Sequence, residues 1–200
     1  MSVIRAFIAA DLPEDLRHAL DRVMRHLKNE LKGVPIRWVP PENIHLTLKF
    51  LGEVSQRNLP FLIELLQGEV ADQRPFEFGV GGLGAFPDIR RPRVIWVGVK
   101  GPKELHDLHH AVENAMKKIG YARETRPFEP HLTLGRVSRN ASPEEVRRVS
   151  EVLRAVQVGF LGSALVEEVY LYRSDLRPTG AVYTRLATAP LRRTNSPAVA

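Results

Sequence analysis

The chain has 200 residues, 44% of them apolar and 26% charged, the balance of a soluble globular protein with chain enough for one domain or two small lobes. It has no cysteine, which excludes a disulfide framework and a thiolate zinc site and fits a reducing compartment. Against 23 Asp and Glu stand 29 Lys and Arg, a net charge of +6 that suits a polyanionic partner without specifying one. The first apolar run meets Asp11 too soon for a signal peptide, and no run approaches bilayer length. A cytoplasmic location without membrane contact is therefore expected.

In chain order, residues 3–10 (VIRAFIAA) read as a strand. A helix follows, with Asp11 as a candidate cap, Pro13 in the first turn and Leu16, Leu20, Val23, Leu27 and Leu31 at helical spacing. Gly33 and Pro35 end it. Residues 36–39 and 45–51 read as strands, 57–67 as a helix, and 75–86 as a glycine-broken strand. The uncharged run 94–99 (VIWVGV) predicts a strand buried on both faces. A third helix is expected over about 102–119, with the stripe Leu105, Leu108, Val112, Met116 and Ile119. Ser142-Pro143-Glu144-Glu145 predicts the capping box of a fourth. Residues 164–173 and 181–187 read as two strands joined by a turn with Pro178 and Gly180, and residues 190–200 as a loose tail. The order predicts an α+β fold of two similar lobes with antiparallel sheets, forming one bilobal domain over residues 1–189.

One tetrapeptide occurs twice. HLTL stands at 45–48 within PPENIHLTLKFLGEV and at 131–134 within FEPHLTLGRVS. Both copies follow a proline-containing approach, and both have glycine soon after. Side chains alternate along a strand, so His45 shares a face with Thr47, and His131 with Thr133. Leu46, Leu48, Leu132 and Leu134 then anchor the opposite faces in a core. Each exposed face offers an imidazole, which exchanges protons near neutral pH, beside a hydroxyl, which donates to a phosphoryl oxygen. Two half-buried strands whose polar faces happen to agree would read the same way. Two such strands facing one another would place an acid and a base on either side of one small ligand, the division of labour in phosphodiester hydrolysis.

RWVPPENIHLTLKFLGEV and RPFEPHLTLGRV resemble the paired His-x-Thr-x motifs of the two-histidine phosphoesterases. Within that superfamily the chain is similar to the bacterial and archaeal RNA 2′,3′-cyclic phosphodiesterases, historically called 2′-5′ RNA ligases. RAFIAADLPEDL near the start and LYRSDLRPTGAVYTRL near the end extend the resemblance from residue 3 to about 187. The resemblance implies pseudo-symmetric lobes with helices outside and a central cleft. It implies hydrolysis of an RNA-terminal 2′,3′-cyclic phosphate to a 2′-phosphate, with no metal or other cofactor. It makes His45 the proton donor and His131 the proton acceptor, with Thr47 and Thr133 holding the non-bridging oxygens. RNA ends or nucleotides bearing the cyclic phosphate are the implied partners, and a monomer is expected. Reversible 2′-5′ end joining, hydrolysis of small cyclic nucleotides, and a non-catalytic module that holds RNA ends all remain open.

Other residues carry less. Lys49 has the strand parity of His45 and Thr47 and so points either into the cleft or to solvent. Arg136 has the wrong parity unless Gly135 permits a bulge that turns it toward a phosphate or the RNA backbone. Phe7 and Trp38 are candidate stacking platforms for a base, with core packing as the competing role. His106, His109 and His110 invite a metal reading, since His106 and His110 are one helical turn apart, but with no third ligand evident a solvated helix face fits better, as it does for His18 and His26. The glycines of VGGLGAF lack the GK[ST] of a phosphate loop and fit a distorted strand.

Overall fold

The computed structural model describes residues 2–178 and 180–192. Nine strands and four α-helices follow in the order β1 (Val3–Ala10), α1 (Glu14–Glu30), β2 (Ile36–Trp38), β3 (Leu46–Ser55), α2 (Leu59–Val70), β4 (Phe76–Phe86), β5 (Val94–Lys100), α3 (Lys103–Lys118), β6 (His131–Val137), α4 (Pro143–Ala155), β7 (Phe160–Val166), β8 (Glu168–Arg177) and β9 (Gly180–Pro190). They form two antiparallel sheets, ordered β3-β1-β8-β9 and β2-β6-β5-β4-β7. Each sheet holds one HLTL strand, β3 in the first and β6 in the second. The fold is the bilobal α+β architecture with helices outside and a central cleft.

The sheets are not the two halves of the chain. β8 and β9 return from the C-terminal half to complete the first sheet, and β2, β4 and β5 leave the N-terminal half for the second. The expected strand over 164–173 is in fact two. β7 ends at Val166 on the edge of the second sheet, and beyond Glu167 the chain enters the first sheet as β8. Buried Val166 and Val169 flank that crossing and keep it apolar on both sides, which is why hydropathy alone showed no break.

α2 and α3 pack on each other and on β9 and β3, while α1 packs on β7. Arg148 of α4 donates to the Lys32 and Glu30 carbonyls at the end of α1. Leu16, Leu20, Met24 and Leu27 of α1 join strand residues of both sheets in one contiguous core, so apolar burial, the main favourable term in folding, is shared across the lobes.

One local expectation holds and several change. Ser142 and Glu145 form the reciprocal capping box, Ser142 Oγ accepting from the Glu145 amide at 3.2 Å and Glu145 Oε2 from the Ser142 amide at 2.7 Å. Asp11 caps nothing. Pro13 occupies the N-cap of α1, and the Asp11 carboxylate instead accepts from Tyr172 Oη at 2.8 Å and Arg185 Nη2 at 2.7 Å. β5 is buried on one face only; Val94, Trp96 and Gly98 stand half-open on the cleft side. β9 runs to Pro190, and Leu191 is buried with its amide on the Glu167 carbonyl. The loose tail predicted from 190 therefore cannot begin there; residues 193–200 lie outside the described residues.

Candidate active site

Both motif strands carry the same irregularity. In β3 the pairing with β1 shifts between Ile8, opposite Lys49, and Ala9, opposite Thr47. In β6 the pairing with β5 shifts between Ile95, opposite Gly135, and Trp96, opposite Thr133. Leu48 and Leu134 are each the extra residue of a β-bulge, which reverses side-chain parity beyond it. The bulge decides the two residues that strand periodicity left open.

Lys49 goes to the core instead of the cleft. It is 3% exposed, and its Nζ donates to Glu113 Oε1 of α3 at 2.7 Å and to the Ala122 carbonyl at 2.9 Å. Arg136 moves the other way and is exposed on the face of Thr133. The extra residue is Leu134, not Gly135. Gly135 is needed for close packing, since a Cβ there would sit 3.0 Å from Ile36 Cγ2 and from the Trp38 ring. Lys49 and Gly135 thus hold equivalent places, as do Phe50 and Arg136. Phe50, which sequence reasoning passed over, is 60% exposed and lies 5.9 Å from Phe7, ring centre to ring centre. Its signal was the second copy of the motif: the residue at its place there is the arginine.

The histidines are held alike. His45 Nδ1 lies 2.8 Å from the Asn43 carbonyl and His131 Nδ1 2.6 Å from the Glu129 carbonyl, in each case two residues back. A carbonyl only accepts, so Nδ1 carries the hydrogen in both rings and Nε2 is left for chemistry. Asn43 fixes its own position through its side-chain amide, which donates to the Ala181 carbonyl of β9 at 2.8 Å. Behind His45 stands Phe7, stacked at 4.7 Å, with Tyr183 edge-on at 5.4 Å. Phe86 meets the His131 ring edge-on at 4.8 Å, and Trp96 lies 6.2 Å away.

These apolar walls tune the imidazoles. Burial pushes His45 down to about 4, against the carbonyl of Asn43 and the charge of Asp11, which raise it, while Arg17 lowers it further. Burial also lowers His131, the Glu129 carbonyl opposes this, and Arg136 adds to the lowering. Thr47 and Thr133 remain half-buried on the histidine face. Strands β3 and β6 come into contact. Tyr183, on the first sheet, feels the charges of Arg136 and Arg37 on the second.

Of the other candidates, Phe7 is 2% exposed and serves as the wall behind His45. Trp38 packs on Gly135 with Lys28 Nζ 5.9 Å from its ring centre. His109 is not on a solvated face. It is buried, stacked on Phe128 at 3.9 Å, with Nε2 4.0 Å from Glu113 Oε1. Among the described residues no three His, Asp or Glu cluster as a metal site, and no helix is long and apolar enough to cross a membrane.

Two carbonyl-locked imidazoles, each beside a threonine hydroxyl, thus stand on matched strands of the two lobes. The LigT like Phosphoesterase family matches this chain twice in succession, over residues 10–96 and 97–183, and the protein belongs to that family. It is 37% identical over 181 residues to the RNA 2′,3′-cyclic phosphodiesterase of Methanothermobacter thermautotrophicus, covering 90% of this chain and 95% of the relative. It is 38% identical over 184 residues to that of Archaeoglobus fulgidus, covering 92% and 98%. Among solved structures, a Thermus thermophilus protein superposes with a TM-score of 0.76 at 30% identity, covering 94% of this chain and 98% of that one. E. coli LigT complexed with 3′-AMP superposes with a TM-score of 0.74 at 27% identity, covering 96% and 100%.

Proposed function

We propose that the protein hydrolyses RNA-terminal 2′,3′-cyclic phosphate to a 2′-phosphate, with His45 as proton donor and His131 as proton acceptor. The observation that carries this reading is the matched pair of Nδ1-anchored histidines, each with a free Nε2. His131 Nε2 takes a proton from water as the water oxygen forms its bond to phosphorus. The bond from phosphorus to the 3′-oxygen breaks, and His45 Nε2 supplies that oxygen with a proton. Thr47 and Thr133 donate to the non-bridging oxygens, and Arg136 adds positive charge beside them.

The surrounding charges favour this direction. For His45 the largest charge effect is Asp11, which supports the protonated form; for His131 it is Arg136, which supports the neutral form. At His45 burial outweighs Asp11, so this imidazole gains its proton as the phosphodiester anion arrives. The curated relatives bear the name of this activity, and the chain departs from the paired motif at neither histidine nor threonine.

The test is incubation of an oligoribonucleotide ending in 2′,3′-cyclic phosphate, with EDTA present, and identification of the product end. A 2′-phosphate is expected, because no carboxylate stands among the motif residues and a threonine hydroxyl binds zinc and magnesium poorly. A 3′-phosphate product, or activity lost to EDTA and restored by one divalent ion, would overturn the proposal.

A further inference from the structure

Beyond Arg136 the cleft face of the second sheet continues into a groove of about 700 Å³, lined by Arg37, Arg93, Val94, Arg136, Ser138 and Arg139. Four guanidiniums and no carboxylate line it. Arg136 is opposite Arg37 on β2 and opposite Val94 on β5, so both neighbours share the face that carries His131 and Thr133. Among the described residues none of the four arginines joins a salt bridge, although eleven ion pairs form elsewhere. Arg93 alone has a fixed partner here, donating from Nη1 to the Ser138 carbonyl at 2.8 Å. Four like charges held together on one strip repel one another unless an anion lies between them.

The strip also has a direction. Along β6 it begins at Arg136 and leads away from His131, and the three positions from Thr133 to Arg136 span about 10 Å of strand. We propose that this groove holds internal phosphodiesters of the RNA chain upstream of the reacting end, so that the chain leaves the cleft over the second lobe past Arg37 and Arg139. The proposal rests on the reading of the cleft as the seat of the terminal cyclic phosphate. A 2′,3′-cyclic end leaves only the 5′ side of its nucleotide attached to RNA, so one exit groove suffices. Guanidinium groups suit it, because they pair with two phosphate oxygens at once.

The experiment compares a 2′,3′-cyclic mononucleotide with a cyclic-ended tetranucleotide, in the wild type and in the R37Q/R139Q double variant. Both side chains are exposed, so the variant should melt with the wild type. Wild-type kcat/KM should favour the tetranucleotide at low salt. The double variant should lose about tenfold or more of that advantage while turning over the mononucleotide as before. Its salt slope for the tetranucleotide should be shallower by about one for each phosphate that is no longer neutralised. A K117Q/R123Q variant, which removes equal charge beside α3, should keep the advantage. Binding of a dye-labelled tetranucleotide with a plain 3′-phosphate gives a readout independent of turnover. If the wild type bound it no better than a mononucleotide, or if R37Q/R139Q bound it as well as the wild type, the groove would be excluded. Stronger binding of a polyglutamate peptide than of RNA would also overturn the proposal. Absence of turnover on every cyclic substrate with groove-dependent binding intact would count against the hydrolytic reading alone.

Discussion

His45 and His131 are alike in geometry but unlike in surroundings, and proton linkage exposes the difference. Burial keeps the His45 imidazole neutral above about 4. A phosphodiester anion beside it raises that value, so binding takes up a proton in the window from about 4 to the new, higher value. Affinity for a non-hydrolysable phosphodiester should therefore fall as pH rises through that window, at most tenfold per unit. Calorimetry at pH 6 in two buffers of different ionisation enthalpy should register proton uptake, and His45→Ala should abolish it. The same group shapes stability. An unfolded His45 takes its proton near 6.5 while the folded one resists to about 4. The stability contribution is therefore complete above 6.5 and erodes as pH falls toward 4. Turnover should drop about a hundredfold or more in His45→Ala and in His131→Ala, with melting near neutral pH little changed. Near-wild-type turnover in either would remove the acid–base pair from the mechanism.

Among elements, the instructive comparison is between the two bulged strands. In β6 the position after the bulge is Gly135, with β2 packed on it; in β3 it is Lys49, buried against α3. The lysine ties the first motif to the segment leading to the second, through Glu113 and the Ala122 carbonyl. Glu113 also faces His109, whose ring stacks on Phe128, three residues before His131. A buried pair of this kind adds little net stability over an apolar substitute, but breaking it strands a charge. Glu113→Leu alone should cost about 3–5 kcal/mol, whereas K49M/E113L should cost much less. Urea denaturation of both variants checks this. Equal destabilisation would mean that the pair acts through packing and not through charge.

In the whole molecule, each lobe is built from both halves of the chain. One apolar core includes Ile8 and Leu46 of the first sheet, Ile95 and Leu132 of the second, and Leu20 of α1. The lobes should unfold together. Trp38 and Trp96 both report on the second sheet, so their fluorescence and the far-ultraviolet dichroism of the whole chain should give coincident denaturation curves. A fragment ending at Trp96, the first of the two family matches, lacks β8 and β9 and should not fold alone. A cooperative, well-dispersed fragment would show that the first match is self-sufficient.

The repeated HLTL was legible as chemistry because strand alternation is local. It put His45 and Thr47, and His131 and Thr133, on shared faces and sent the leucines to the core, where Leu46, Leu48, Leu132 and Leu134 are buried. The helix stripes, the Ser142 capping box and the α+β class followed from the same short-range rules. What the sequence left undecided lies beyond residue 48 and beyond residue 134. A bulge is set by the partner strand, so parity alone left Lys49 between cleft and solvent and turned Arg136 away from the cleft. The switch of sheets at Glu167, the one-sided burial of β5 and the release of Asp11 from capping to Tyr172 and Arg185 likewise depend on neighbours distant in sequence. The sequence by itself determined which side chains share a face on the two motif strands, because periodicity and residue type are properties of a few adjacent residues. Tertiary structure alone decided which charges surround them, because register, crossing and burial are set only when distant strands meet.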